Sequence, residues 1–501
     1  DTIAIRRIGS VVASPDGSSV LFTVVQAVMT PGKSGYLAQL FLAEEDNVPA
    51  LQLTAGETSP YDPQWSPDGR TIAFLSRGNI WLIDNATLAV QQLTAVPSGV
   101  SCYKWSPDGS RIAFTALDEA NSQAAGGKNG PRIVGQGGGK QRLYAVSIAD
   151  MSGGPVRGRP LTAEDIHVGA PETPGAYQWS PDGKSIVFSH SKSPQQNDWL
   201  TTRLARLDLA DGSTHPLGLD NEVVWDPQIS PDGRWVACKI YDHPAWEWSS
   251  QVYILPIEGG PARPLADTAD RRPNLLGWSA DGARLYYLET WGTRLRLCAL
   301  PVDGSPPVVL FEPDGCIENA SLNQSRNTLG FTLQTTTEPL EAWIMRLDDL
   351  SPRQVSRVNA EFRQIPVGRT EVIRWKSVDG LEIEGLLTYP PGYINGQRCP
   401  LLVSVHGGPA NAWMQFFTGM QSFFGPAAAL GARGYAILRC NVRGSTGYGR
   451  AFRRGNYRDW GGKDAQDLLA GVDAVIELGV ADPQRMGIIG WGYGGYLTAA
   501  I

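Results

Sequence analysis

The stretch Met486-Gly487-Ile488-Ile489-Gly490-Trp491-Gly492-Tyr493-Gly494-Gly495-Tyr496 decides how the last third of this 501-residue chain is read. An apolar run enters a corner of regularly spaced glycines and small residues leave it, which is the strand-turn-helix grammar of a G-x-S-x-G nucleophile elbow. Glycine stands at position 492, where that motif carries the attacking serine. The residue at such a corner occupies a strained backbone region that glycine enters most cheaply, so an intact turn without its hydroxyl is expected. The Tyr493 and Tyr496 phenols beside it are unactivated and are expected to pack against the corner.

Working outward, the segment from about Asn359 alternates strands with helical patterns and predicts an α/β domain. Glu371 to Lys376 and Leu381 to Tyr389 read as a hairpin across Asp379-Gly380, and Leu401 to Val405 as an apolar strand running into His406-Gly407-Gly408-Pro409. Tyr435 to Leu438 is another strand. Lys463 to Leu478 has helical period, with Leu468, Leu469, Val472, Val475 and Ile476 on one face. Met486 to Ile489 is expected to be the buried strand that feeds the corner. Residues 359–501 thus predict the first part of an α/β-hydrolase domain, with the elbow strand ending as an unpaired apolar edge that invites aggregation.

Upstream, one phrase recurs. Ser-Pro-Asp-Gly occupies 14–17, 66–69, 106–109, 180–183 and 230–233, Ser-Ala-Asp-Gly occupies 279–282, and a worn copy, Asn-Gln-Ser-Arg-Asn, occupies 323–327. Each copy precedes a short apolar strand such as Ile72-Ala73-Phe74. The tetrad suits a type I turn, with Ser first, Pro pre-setting φ at the second position and Gly fourth. A second strand and a short third one follow, giving about four strands per unit at a spacing of roughly 40 to 50 residues, the signature of a β-propeller blade. Seven copies predict seven blades over residues 1–358. A Gly-rich insertion at 125–140 lacks a Walker-type ending and reads as a loop. The turn aspartates Asp16, Asp68, Asp108, Asp182 and Asp232 read as turn residues, not as a calcium array.

Composition excludes several classes. With 43 basic against 50 acidic residues the net charge is −7, which offers no footprint for nucleic acid or an anionic membrane. No run of 18 apolar residues appears. The six cysteines have no C-x-x-C spacing, arguing against a zinc site or disulfide framework and favouring a reducing, cytoplasmic compartment. Because the chain opens at Asp1, a removed leader stays open as an alternative.

The propeller phrase, His406-Gly407-Gly408-Pro409, Asn441-Val442-Arg443-Gly444-Ser445-Thr446-Gly447-Tyr448-Gly449, Trp460-Gly461-Gly462-Lys463-Asp464 and the Gly490 to Tyr496 corner, in that order, resemble the prolyl oligopeptidase family of serine peptidases, and within it the acylaminoacyl-peptidase and dipeptidyl-peptidase-like branch. The resemblance covers essentially the whole chain. It implies a peptidase whose propeller caps the active site and admits short peptides, with no cofactor or metal and with a homo-oligomer possible. By match to the family motif, the oxyanion donors would be the backbone N–H groups of Tyr493 and Gly408, a tight turn being the alternative role of the Gly407-Gly408 pair.

The fold's order of nucleophile, acid and base puts the base after the elbow. His406 lies before it, and His167, His190, His215 and His243 fall in the propeller, so no histidine present takes the role. Two explanations of Gly492 stay open: an active peptidase that has lost its serine, or a pseudoenzyme that binds peptides or proteins without cleaving. An esterase on the same scaffold is a third reading, since the elbow does not distinguish ester from amide. Asp198-Trp199 and Trp246-Glu247-Trp248 are candidates for holding a peptide amine, blade packing being their other role. Arg443 and Asp464 are expected to form a polar network under the 445–449 loop.

Overall fold

A computed structural model describes residues 4–501 except 45–48, 119–138, 170–175, 219–221, 243–248 and 420–426. Most of the 125–140 insertion, His243 and the Trp246-Glu247-Trp248 candidate therefore lie outside the described residues.

The tetrads form the expected turns. The glycine N–H donates to the serine carbonyl at 2.9–3.0 Å in all six intact copies, from Gly17 to Ser14 through Gly282 to Ser279. Each of these glycines takes φ between +68° and +77°, the left-handed region that a side chain would strain. The serine hydroxyl works in both directions. It donates to the aspartate, as from Ser106 Oγ to Asp108 Oδ1 at 2.6 Å, and accepts the N–H five residues on, as from Arg111 at 3.0 Å. In the worn copy Asn323 Oδ1 replaces that acceptor for Asn327 and Thr328 N–H, both at 3.0 Å, and Arg326 is driven to φ +58° in glycine's place.

Antiparallel sheets follow one another along the chain: Arg7–Ala13 to Leu51–Gln52, Tyr61–Trp65 to Val90–Gln92, Val100–Trp105 to Arg159–Pro160, His167–Val168 to Thr214–Leu217 and Val224–Ile229 to Arg263–Pro264. An eight-stranded sheet, Asn274–Trp278 to Pro352–Gln354, completes the series. Its two four-stranded halves are joined by one parallel pair, Leu295 with Cys316. Successive sheets fit a β-propeller. Aromatics bond neighbouring sheets, the Trp65, Trp179 and Trp278 indoles donating to the carbonyls of Val12, Lys104 and Gln228.

The turns stack in register around the series. A Cβ on Gly69 would lie 3.7 Å from Pro15, one on Gly109 3.3 Å from Pro67, and one on Gly233 3.4 Å from Pro181. The last unit reaches the first: Asn323 Nδ2 donates to Ser14 O at 3.2 Å and Ser321 Oγ to Val11 O at 2.6 Å. Polar bonds between the two chain-distant ends thus close the ring.

The remaining sheet runs Thr370–Lys376, Glu382–Thr388, Ala436–Asn441, Cys399–Val405 and Ala481–Gly490 in spatial order. The first three strands pair antiparallel and the last three parallel. Helix Lys463–Glu477 packs under it through Ala465, Leu468 and Val475. Two expectations need correction. The elbow strand is not buried: it lies at the sheet edge, hydrogen-bonded on one side to Cys399–Val405, and leaves Met486 46% and Ile489 36% exposed. Its apolar residues have no neighbouring strand among the described residues to cover them. Leu469, placed on the core face of the helix, is exposed, and Asp464 and Asp467 are buried on that face instead. Periodicity misses this because both carboxylates carry their own buried partners.

Candidate active site

Strands Cys399–Val405 and Ala481–Gly490 run parallel with Val405 opposite Gly490, so the chain leaves both at the same level. Side by side from that point stand His406-Gly407-Gly408 and Trp491-Gly492-Tyr493. A Cβ on residue 492 would lie 3.9 Å from the Gly407 Cα. Gly492 itself has φ +57° and ψ −123°, and helix Tyr493–Ala500 starts immediately after it. The corner closes through Gly494 N–H to Trp491 O at 2.9 Å and Tyr496 N–H to Gly492 O at 3.1 Å.

The flanking glycines are steric requirements. A Cβ on Gly490 would come 2.2 Å from Gly494 O, and one on Gly494 2.2 Å from Val405 O. Gly495 is different, since its Cβ would make an ordinary contact of 3.5 Å with Gly490 O. The strand, the turn and the helix can approach this closely only with bare backbone at 490 and 494. Position 492 is thereby held out in front of the sheet, beside a helix N-terminus whose first N–H groups have no intrahelical acceptor. Tyr493 supplies one of those groups.

Beneath the corner lies a network that composition did not announce. The buried Tyr493 phenol donates to Asp464, and Asn456 Nδ2 donates to the same carboxylate oxygen at 3.1 Å. Burial, then this bond, pushes the phenol pKa far above its ordinary value, so Tyr493 stays a neutral donor tying the helix start to Asp464. Tyr496 is exposed and donates to Trp460 O at 3.0 Å. The expected Arg443–Asp464 network is corrected: Arg443 clamps Asp467 at 2.7 and 2.9 Å and Asp379 through two bonds of 2.9 Å, while Asp464 serves the elbow. Arg443 chooses the carboxylate one helical turn further on, which its backbone N–H also reaches at 2.9 Å.

His406 is buried and lies 2.9 Å from Gly407 O through Nδ1 and 2.9 Å from Ser445 Oγ through Nε2. Burial holds its pKa down to about 4, so the ring is neutral near pH 7. With both nitrogens engaged it is not a general base for position 492. His167 is buried and pushed down to about 4 by burial, and accepts the Gln141 N–H; His190 and His215 lie in the same sheet, away from this corner.

The propeller side reaches the same loops. Arg272 donates to Ala410 O at 3.0 Å, Gln415 N–H to Thr293 O at 2.8 Å, and Gly449 N–H to Asp270 at 2.9 Å. Asp270 also pairs at 2.7 Å with Arg453, and both are fully buried. No sequence signal links these residues, which lie more than a hundred positions apart. Asp198, a candidate for holding a peptide amine, accepts from Ser193 Oγ at 2.5 Å, and Trp199 packs edge-on against Tyr241. Among the described residues no group of histidine, cysteine and acidic side chains is arranged to hold a metal, and no helix is long and apolar enough to cross a membrane.

Residues 421–501 match the prolyl oligopeptidase family, and residues 14–123 match the dipeptidyl peptidase IV N-terminal region. Among curated relatives, the uncharacterized peptidase YuxL of Bacillus subtilis is 25% identical over 99% of this chain and 78% of its own length. Dipeptidyl-peptidase 5 of Porphyromonas gingivalis is 23% identical over 99% of this chain and 75% of its own. In three dimensions the chain resembles uncomplexed Pyrococcus horikoshii acylaminoacyl peptidase, with a TM-score of 0.77 at 19% identity over all of this chain and 75% of that one. A Mycobacterium tuberculosis puromycin-hydrolyzing peptidase gives 0.71 at 20% identity, over all of this chain and 76% of that one.

Proposed function

From its membership of the prolyl oligopeptidase family, we propose that this chain is the scaffold of a serine-type peptidase for short peptides, in which position 492 is the nucleophile site. Residues 1–358 form a propeller of seven blades above residues 359–501, which form the hydrolase part. The observation that carries the reading is the backbone of Gly492, at φ +57° and ψ −123° between an edge strand and a helix start, 3.9 Å from the Gly407 Cα when a Cβ is added. A side chain there comes up beside the His406-Gly407-Gly408 turn, and the Tyr493 and Gly408 N–H groups are the donors assigned to a tetrahedral oxyanion in this reading.

With glycine at 492 the chain has no nucleophile at that site and forms no acyl-enzyme. The acid and base follow the nucleophile in the order of this fold, and residues 493–501 hold no aspartate, glutamate or histidine. A pocket that binds peptides without cleaving them, or an esterase, uses the same corner. The test introduces Gly492→Ser in the complete gene product and exposes it to a fluorophosphonate probe and to chromogenic peptide and ester substrates. Covalent labelling at residue 492 with turnover of peptides, and none in the Gly492 protein, is expected. An unlabelled Gly492→Ser protein that still binds peptides overturns the peptidase reading in favour of binding, and ester turnover without peptide turnover favours the esterase.

A further inference from the structure

Among the described residues five arginines are buried, and four of them sit against a carboxylate. Arg142 pairs with Asp118 at 3.1 Å, Arg296 with Glu312 at 3.6 Å, Arg443 with Asp467 at 2.7 Å and Arg453 with Asp270 at 2.7 Å. The fifth, Arg439, has no carboxylate within 4.0 Å among the described residues. It donates once, to Thr388 Oγ1 at 2.9 Å, and its Nε is buried with no partner. A guanidinium carries five N–H donors and a charge, and taking it out of water without a counter-charge is costly. Burial alone pushes the Arg439 pKa down to about 10, so the group stays charged near pH 7 with nothing beside it to offset the charge.

The strand Ala436–Asn441 explains where that charge is presented. Its Ala436, Leu438 and Cys440 pack into the core, and alternation turns Ile437 and Arg439 to the other face of the sheet. That face opens on a cavity of about 380 Å³ between the sheet and the propeller, with Arg439 in its lining. The rest of the sheet side and the loop above it are largely apolar: Leu402, Ile437, Trp413 and Phe417. On the propeller side Leu340 continues the apolar wall, and the exposed Arg7 adds a second cation at the rim. Glu318, also on that side, takes the Gln334 amide at 2.7 Å, and burial raises its pKa above the ordinary value. A cavity of this size with apolar walls and one placed charge is the usual form of a small-molecule site. We propose that it binds a small carboxylate with an apolar body, the carboxylate pairing with Arg439 and the body lying against Leu402, Ile437 and Trp413. The planar guanidinium suits a carboxylate, and the pair supplies the counter-charge that the fold withholds. The site is independent of the reading of position 492. Two sources share this chemistry, a free apolar acid and the C-terminal carboxylate of a short peptide.

The test is calorimetric titration of the complete gene product, with Gly492 unaltered, using 3-phenylpropionate, N-acetyl-Ala-Phe and the amide of each. Both acids are expected to bind saturably and the amides at least about tenfold more weakly, since a hydrogen bond to a charged group is lost. The tighter of the two acids assigns the source. Arg439→Met keeps the length of the side chain and removes the charge. It is expected to weaken acid binding about 10- to 100-fold and to leave the unfolding temperature unchanged or higher, because a lone buried charge is replaced by an apolar group. Acids and amides that bind alike, acids that do not bind, or acid binding that survives Arg439→Met overturn the site. Where Arg439→Met does not fold, photolabelling of the unaltered protein with 4-benzoylbenzoate decides. Label on Leu402, Trp413 or Ile437 that excess 3-phenylpropionate suppresses is expected, and label confined to other residues overturns the proposal.

Discussion

At the scale of single residues, the corner shows how one motif contains glycines of different necessity. Gly490 and Gly494 exist because backbone crosses backbone there: a methyl group at either would sit 2.2 Å from a carbonyl oxygen that belongs to the sheet or the helix start. Neither neighbour can retreat without breaking the corner. Gly494→Ala is expected to cost about 3 kcal/mol of stability, at the upper end of overpacking effects. Gly495 sits inside the helix with ordinary contact distance around it, so Gly495→Ala removes a flexible residue and is expected to stabilise by about 0.5–1 kcal/mol. Denaturant unfolding of the two variants checks this. Equal effects would mean that the close approach at 494 is not a constraint.

At the scale of elements, the tetrad turn is the unit from which the propeller is written. Its aspartate accepts the serine hydroxyl and the N–H two residues on, and Asp108 and Asp232 are pulled down to about 2, first by the Ser106 and Ser230 hydroxyls. A carboxyl whose folded pKa lies below its unfolded one stabilises the fold above the unfolded value and loses that contribution as pH falls through the folded one. The turns therefore weaken between about pH 4 and pH 2, which is where carboxylates with an ordinary value near 3.8 begin to protonate when unfolded. Ser106→Ala removes the largest cause, and the Asp108 titration midpoint is expected to rise toward 3.8, as carboxyl NMR would record. An unmoved midpoint would transfer the effect to the Ser110 hydroxyl and N–H.

Those turns were legible in the sequence because everything they need lies within six residues. The corner was legible only as a motif: Gly490 is required by Gly494 four residues on, whereas Gly494 is required by the carbonyl of Val405, 89 positions upstream. What sequence patterns do not reach is partner choice across distance. Arg443 had Asp464 in view and takes Asp467 and Asp379, the latter 64 positions upstream. Asp464 instead anchors Tyr493, 29 positions on. Buried carboxylates on an amphipathic helix look like solvent-face residues to a periodicity argument, and only their partners reveal otherwise. The same holds for His406, whose place before the elbow excluded it as a base, while its contacts with Gly407 O and Ser445 Oγ required the folded chain to be seen.

At the scale of the whole molecule, the N-terminal sheets and the α/β sheet meet through polar contacts that converge on the loops around position 492. Asp270 and Arg453 form an ion pair at 2.7 Å with essentially no solvent exposure. Arg453 also donates to Ser249 Oγ at 2.7 Å, and Gly292 N–H to Gly447 O at 2.8 Å. Two charges removed from water attract strongly but lose hydration, so the pair as a whole adds little net stability, whereas either charge alone is costly. Asp270→Asn keeps an acceptor for the Gly449 N–H yet removes the Asp270 charge from beside the buried Arg453 guanidinium. It is expected to cost about 3–5 kcal/mol. Removing both charges, as Asp270→Asn with Arg453→Met, is expected to recover most of that loss, and the recovery is the coupling energy of a double-mutant cycle. Calorimetry adds a second readout: with the pair broken, unfolding of the N-terminal sheets separates from that of the α/β sheet, and with both charges gone the transitions merge again. If the two substitutions simply add, the pair does not couple the two parts, and the hold on the Gly447 to Arg453 segment falls to the backbone bonds from Gly292 and Gly449.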